Sequence, residues 1–173
     1  MTTPSDATLK FREGVLLASR NCPSEALHAF RELVETWPKD DLADDALYNV
    51  GACYLAMNQF TQAAGSFRKL IETYPEATIA SDENGGRESG RTAAKAYLGL
   101  VSAHLGLGDV DGAKQAATAL EDFDDSHIHP APGIDRTFHD VAESLLVAAE
   151  GHDADEVDDV GPEDFDENAT GED

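Results

Sequence analysis

Basic residues are scarce in this chain. Its 173 residues include 12 lysines and arginines against 35 aspartates and glutamates, which gives a formal net charge of −23. A nucleic-acid-binding surface needs basic side chains that neutralise phosphates, and an anionic membrane surface repels a strongly acidic protein. The composition therefore argues against nucleic acid and membranes as partners.

Cysteine and long apolar runs are lacking too. The two cysteines, Cys22 and Cys53, form neither a disulfide framework nor a CxxC metal motif. No apolar run approaches the length of a membrane span, and the first residues lack the basic and then apolar pattern of a signal peptide. We therefore expect a cytoplasmic protein in which both cysteines are small buried apolar residues.

Acidic residues are concentrated at the C-terminal end without being confined to it. Residues 151–173 contain 11 acidic residues, no lysine or arginine, and no apolar periodicity. We predict that this segment is a disordered acidic tail that mainly solvates the protein. The rest of the chain is also acidic, and lysines number only five in all. Such a composition is typical of proteins from a high-salt cytoplasm, and an ordinary acidic protein is the alternative.

An internal repeat organises the rest of the chain. Residues 9–38, 46–75 and 96–123 each contain two stretches with apolar residues at helical spacing, separated by a short turn. Each segment therefore predicts a hairpin of two helices, and Pro38 and Pro75 end the first two hairpins because proline cannot continue a helix. The predicted segments are hairpins at 7–38, 44–75 and 94–123 and a polar surface loop at 79–90.

Small residues recur at matching places in these hairpins. Gly14 and Gly51 fall in the middle of the first helix, where glycine costs about 1 kcal/mol relative to alanine. That cost is explained if another helix crosses there at short range. The second helices carry an alanine and, four residues later, an aromatic residue in the first two hairpins. These residues are Ala26 and Phe30, Ala63 and Phe67, and in the third hairpin Ala113 and Ala117.

This pattern resembles the tetratricopeptide repeat (TPR). In that unit, helix A has a small residue and then an aromatic residue, helix B has an alanine and then an aromatic residue, and a proline closes the unit. The second segment matches at Gly51, Tyr54, Ala63, Phe67 and Pro75. The third segment departs from the pattern, with Val101 and His104 at the glycine and tyrosine positions. The units are also similar to those of envelope-assembly proteins of the Tol-Pal system.

The resemblance implies an all-α fold, a TPR-like right-handed superhelix of three helical hairpins that ends in a C-terminal capping helix. Residues 124–150 are predicted to supply an irregular loop and that capping helix. Apolar periodicity places the helix at about Asp135–Glu150, and Asp135 is the expected N-cap.

In such a stack the A helices line a concave side that suits an extended peptide or an amphipathic helix. The family pattern places nine residues there: Phe11, Arg12, Val15, Tyr48, Asn49, Leu55, Lys95, Leu98 and Ser102. We therefore predict a non-catalytic adaptor that binds a protein or peptide partner on the A-helix side. The alternative is a self-associating structural protein whose groove closes on a second copy.

One activity of the family can be tested residue by residue. Some TPR co-chaperones bind a C-terminal carboxylate through five polar residues on the A helices. This chain has Asn49 and Lys95 at two of these places, and Phe11, Val15 and Gly99 at the other three. A carboxylate would be poorly paired without the missing donors. The resemblance therefore does not extend to a carboxylate clamp.

Histidines offer the one pattern that favours other chemistry. His127, His129 and His139 follow Asp125 closely, and these residue types bind metals. Their spacing is looser than that of zinc sites, and two ordinary loop histidines are the alternative. The sequence also lacks a phosphate-binding glycine loop and a serine or cysteine with a convincing base partner. We expect no enzyme activity, cofactor or metal, and we keep a metal-dependent activity at the histidines as a further alternative.

Overall fold

The computed structural model of the chain describes residues 5–79, 87–131 and 133–155. Its helices are α1 Asp6–Ser19, α2 Pro23–Thr36, α3 Ala43–Ala56, α4 Phe60–Thr73, α5 Thr92–Gly106, α6 Val110–Thr118 and α7 Phe138–Asp155, with a 3-10 turn at Ala119–Asp122. Its strands are β1 Glu88–Ser89, β2 His127–Ala131 and β3 Ile134–Thr137. The predictions for residues 80–86 of the polar loop and for the tail from residue 156 onward lie outside the described residues.

Helices α1 to α6 form three hairpins, and each helix packs on the next one along the chain. We call α1, α3 and α5 the A helices, and α2, α4 and α6 the B helices. This arrangement confirms the predicted all-α, TPR-like helical repeat. The alanines and phenylalanines singled out on the B helices are buried in a continuous core.

Glycines on the A helices lie against the phenylalanine rings. A β-carbon built at Gly14 would stand 2.6 Å from the ring of Phe30, and one built at Gly51 would stand 2.5 Å from the ring of Phe67. Real β-carbons do not approach a ring so closely, so only glycine allows the two helices to pack at this distance. The third hairpin has Val101 and Ala117 at the matching positions, and both are buried. A larger residue on its A helix thus accompanies a smaller one on its B helix.

The turn inside each hairpin has one backbone conformation. Asn21, Asn58 and Gly108 occupy the same place in the three turns and have positive φ angles of 58°, 56° and 70°. This conformation ends a helix and lets the next amide donate to a carbonyl of the last turn, as Gln59 N does to Tyr54 O at 2.9 Å. Asparagine and glycine are the residues that adopt it at low cost.

The prediction of an irregular loop after residue 123 is wrong in part, since residues 127–131 and 134–137 are strands. They form an antiparallel sheet in the order β1-β2-β3 with Glu88–Ser89, which lies shortly before α5. Glu88 pairs with Ile128, and His127 pairs with Thr137. The sheet therefore joins the end of the polar loop to the segment before the last helix.

The capping helix begins later than predicted. Asp135 lies in β3 and is not the N-cap, which is formed instead by Thr137. The Thr137 hydroxyl accepts from the Asp140 amide, and the Asp140 carboxylate accepts from the Thr137 amide, both at 3.0 Å. This reciprocal pair is a capping box. The helix buries Phe138, Ala142 and Leu146 and continues to Asp155, beyond the predicted end at residue 150.

Candidate functional site on the A helices

Equivalent residues of the three A helices form rows along one side of the stack. Phe11, Tyr48 and Leu98 share one position of the repeat, and all three side chains are half-buried. Val15 is one helical turn further along α1, and 45% of its surface is exposed. We call the surface formed by the nine predicted residues the A-helix face.

The aromatic residues of this face also belong to the core. The ring of Phe11 meets that of Phe30 edge-on at 5.6 Å between centroids, and Tyr48 meets Phe67 at 5.5 Å. Burial raises the pKa of the Tyr48 hydroxyl above its ordinary value, so the group stays neutral. Each ring therefore turns one side to a B helix and keeps part of its surface exposed.

Lys95 joins two of the A helices. Its Nζ lies 4.3 Å from the centroid of the Tyr48 ring, a cation–π contact, and forms an ion pair with Glu88 of β1. These contacts leave 17% of the lysine side chain exposed. The polar end of the A-helix face is thus organised around one cation that the chain itself holds in place.

Carboxylates outnumber that cation. Asp45 is half-buried, and its pKa is raised to about 6 by desolvation and then by the neighbouring charges of Asp44 and Glu88, against the opposite effect of Lys95. The Asp44 carboxylate is buried and accepts from the Thr92 hydroxyl at 2.8 Å. At neutral pH Glu88 is paired with the one ammonium group and Asp45 lies within its electrostatic range, so the cluster has surplus negative charge.

Two of the predicted polar residues bond to their own helices. The Asn49 side-chain amide donates to Asp45 O at 2.8 Å, and the Ser102 hydroxyl donates to Leu98 O at 3.2 Å. Each is an i to i−4 bond within a helix, which uses part of the capacity of these groups to bond a ligand. Leu55 is half-buried, and Arg12 is exposed on α1.

The sequence analysis missed Asp45 and Glu88. A signal for Asp45 was present, because it occupies the same repeat position as Lys95, so opposite charges fall side by side on neighbouring A helices. Glu88 carried no such signal, since it reaches Lys95 from the strand before α5. The role of the nine predicted residues in binding stays a prediction.

The three histidines do not form the cluster that the metal alternative requires. His127 and His129 stack on β2, and their Nδ1 atoms lie 2.9 and 3.3 Å from Oδ1 of Asp135 on β3. His139 lies on α7 and approaches Glu143. Across residues 5–79, 87–131 and 133–155, no three histidine, cysteine, aspartate or glutamate side chains are grouped so as to hold a metal ion.

The A-helix face lies partly on the segment that identifies the chain. Residues 45–77 match the family model of the tetratricopeptide repeat. The chain therefore contains a tetratricopeptide repeat unit. The matched TPR unit contains α3 and α4, and with them Asp45, Tyr48, Asn49 and Leu55. No curated protein matches the chain.

Two general statements follow from the family. TPR units are protein–protein interaction modules, and proteins of this type are typically non-catalytic scaffolds. The similarity to Tol-Pal units stays a prediction. In the part of the chain that the structure describes, no helix is both long and apolar enough to cross a membrane.

Proposed function

We propose that this TPR protein is a non-catalytic adaptor that binds a segment of another protein on its A-helix face. The observation that carries the proposal is the row formed by Phe11, Tyr48 and Leu98, which repeats at one position of all three A helices and stays partly exposed. Such a row offers apolar anchoring sites at regular spacing, which is what an extended peptide or one side of an amphipathic helix requires.

The charges beside the row define the segment further. Asp45 and Glu88 share one cation, Lys95, and Asp44 adds a third carboxylate. A lysine or arginine of the partner, placed beside Tyr48, would neutralise part of this surplus and stack on the aromatic ring. We therefore propose that the bound segment combines apolar anchors with a basic residue.

The proposal includes a cytoplasmic location. Both Cys22 and Cys53 are free thiols in the structure, and burial raises the pKa of the Cys53 thiol to about 11. Free thiols are usual in a reducing compartment.

A displayed library of random peptides tests the adaptor function directly. We expect the wild-type protein to enrich peptides with apolar residues and a basic residue. Val15→Lys and Tyr48→Lys should each weaken the binding of an enriched synthetic peptide at least tenfold. The matched control is Leu107→Lys, because Leu107 is 48% exposed and lies at the turn between α5 and α6, outside the nine residues.

Circular dichroism of each variant must show an unchanged helical content. The Val15 variant keeps the test valid if Tyr48→Lys misfolds, because the Val15 side chain is already exposed and its replacement should not disturb the fold. Peptides that bind all three variants as tightly as wild type would place the binding surface elsewhere and contradict the proposal. If the enriched peptides are acidic, the proposal that the bound segment contains a basic residue is contradicted, and the proposed adaptor function is not.

A further inference from the structure

The two ends of the helical stack differ. At the C-terminal end, α7 packs on α5 and α6 and buries Phe138, Ala142 and Leu146. At the other end is α1, and among the described elements its substantial packing is on α2. One end of the stack is thus covered by a helix, whereas α1 keeps one side open.

On that open side, α1 has large exposed apolar residues at repeat positions that are buried in α3 and α5. Leu9 holds the repeat position of Ala46 and Ala96, which are fully buried, and it is 52% exposed. Leu16 holds the position of Cys53 and Ala103, which are also buried, and it is 49% exposed.

The other A helices show what covers these positions. In α3 and α5 this side packs on the B helix of the preceding hairpin, as the contact of Gly99 on α5 with the Phe67 ring on α4 illustrates. The geometry therefore calls for a helix against Leu9 and Leu16. Among the described elements, none covers these two leucines.

We infer that a second copy of this chain covers this side, its α1 packed antiparallel against the first α1 about a two-fold axis. We call the surface formed by Leu9, Arg12, Glu13 and Leu16 the end face; it shares Arg12 with the A-helix face. In this arrangement Leu9 of one copy packs on Leu16 of the other, and each contact occurs twice, as an isologous interface requires.

Charge complementarity is the reason for choosing a second copy as the occupant. The same antiparallel register places Arg12 beside Glu13 of the other copy, and it brings Arg20 near Asp6 of the other copy. All four of these charged side chains are exposed. A parallel pairing would instead place like charges side by side. The surface is therefore complementary to itself in one orientation.

Two properties of the dimer follow. A single helix face is smaller than the roughly 800 Å² per partner of a standard interface, so the dimer is weak. The net charge of −23 on each copy opposes association, and salt screens that repulsion. We therefore expect weak dimerisation that increases with protein concentration and at high ionic strength.

The test is the solution mass of the full chain by light scattering, over a concentration series in about 1 M salt, where the Debye length is about 3 Å. Wild type should approach the mass of a dimer, and Leu9→Asp combined with Leu16→Asp should stay a monomer. Two variants should dimerise like wild type: Val147→Asp, which changes an apolar residue that is 67% exposed on α7, and Tyr48→Lys on the A-helix face. A monomeric wild type over the whole series overturns the inference.

A dimer that persists in the double leucine variant also overturns it. If Tyr48→Lys alone breaks the dimer, the copies associate through the A-helix face and the end face is not the interface. A charge exchange then tests the register, and it is measured in about 0.1 M salt, where the Debye length of about 10 Å leaves the ion pairs less screened. Arg12→Glu should weaken the dimer at least fivefold, and adding Glu13→Arg should restore it. Failure of the exchange to restore the dimer rules out the antiparallel pairing. Helical content by circular dichroism must be unchanged in each variant.

Discussion

The ring of Phe67 lies between two A helices, with Gly51 on one side and Gly99 on the other. A β-carbon built at Gly99 would stand 2.6 Å from the ring, nearly the same as the 2.5 Å at Gly51. Phe67 itself is completely buried. The second and third hairpins therefore join through one aromatic side chain whose space is provided by two glycines.

Replacing Gly99 by alanine should destabilise the protein by about 1–3 kcal/mol, because the added methyl group overpacks the core. The matched control is Gly65→Ala on α4, where a β-carbon would meet nothing within 4 Å. That change should stabilise the protein by up to about 1 kcal/mol, since alanine favours a helix more than glycine does. Urea unfolding of both variants gives the comparison. Equal effects of the two substitutions would show that Gly99 is not needed for packing.

The hairpins could be predicted because their determinants are local and repeated. A helix crosses Gly14 and Gly51 at short range as the pattern indicated, with Phe30 and Phe67 opposite them, and the small-residue positions are buried. Each determinant lies within about 16 residues of its partner in sequence, so one segment contains both members of a contact.

The sheet could not be predicted because its pairing is non-local. Glu88 pairs with Ile128 across 40 positions, and β1 has only two residues. Short polar strands carry a weak alternating pattern. The N-cap of α7 was misplaced for the same reason, since Asp135 lies inside β3 and the strand continues to Thr137, its last residue, which caps the helix. Glu88 of the candidate site depends on the same strand.

The capping box of α7 gives a second prediction. Thr137→Ala removes the hydroxyl that accepts from the Asp140 amide, and we expect a loss of about 1 kcal/mol. Thr118→Ala serves as the control, because Thr118 is exposed and its side chain makes no cap hydrogen bond. The control should have no destabilising effect in thermal unfolding. A control as destabilising as Thr137→Ala would rule out a capping role.

A third prediction concerns the contact between the ends of the first two hairpins. The Tyr74 hydroxyl donates to Pro38 O at 2.8 Å. Tyr74→Phe should cost about 1 kcal/mol in urea unfolding, because it removes one hydrogen bond and leaves the ring in place. Tyr54→Phe should have little effect, since within the described residues the hydroxyl of half-buried Tyr54 makes no hydrogen bond. Equal costs for the two variants would show that this bond does not hold the hairpins together.

The last prediction concerns Asp45. Its pKa is raised from 3.8 to about 6 in the folded protein, mainly by desolvation. A raised pKa means that the folded state favours the protonated carboxyl. The resulting stabilisation is complete below pH 3.8 and is lost as the pH rises through 6. Asp45→Asn cannot ionise, so it should be more stable than wild type by about 2 kcal/mol at pH 7.5 and similar to it at pH 4.

Chemical unfolding across this pH range measures the difference between the two proteins. Asp140→Asn should show the opposite trend, because hydrogen bonds from Thr137 lower the pKa of Asp140 and stabilise its charged form. A constant difference between wild type and Asp45→Asn at all pH values would contradict the raised pKa.

The cost of ionising Asp45 bears directly on the proposed adaptor function. A basic side chain of a bound segment would favour the charged carboxylate and thereby lower its pKa. Binding of a basic peptide should therefore tighten as the pH rises from 5 to 7, where free Asp45 loses its proton. Asp45→Asn should flatten this dependence while the apolar contacts with Tyr48 remain. Peptide titrations of both proteins at several pH values separate the two contributions. An unchanged pH dependence in the variant would mean that Asp45 does not face the bound segment.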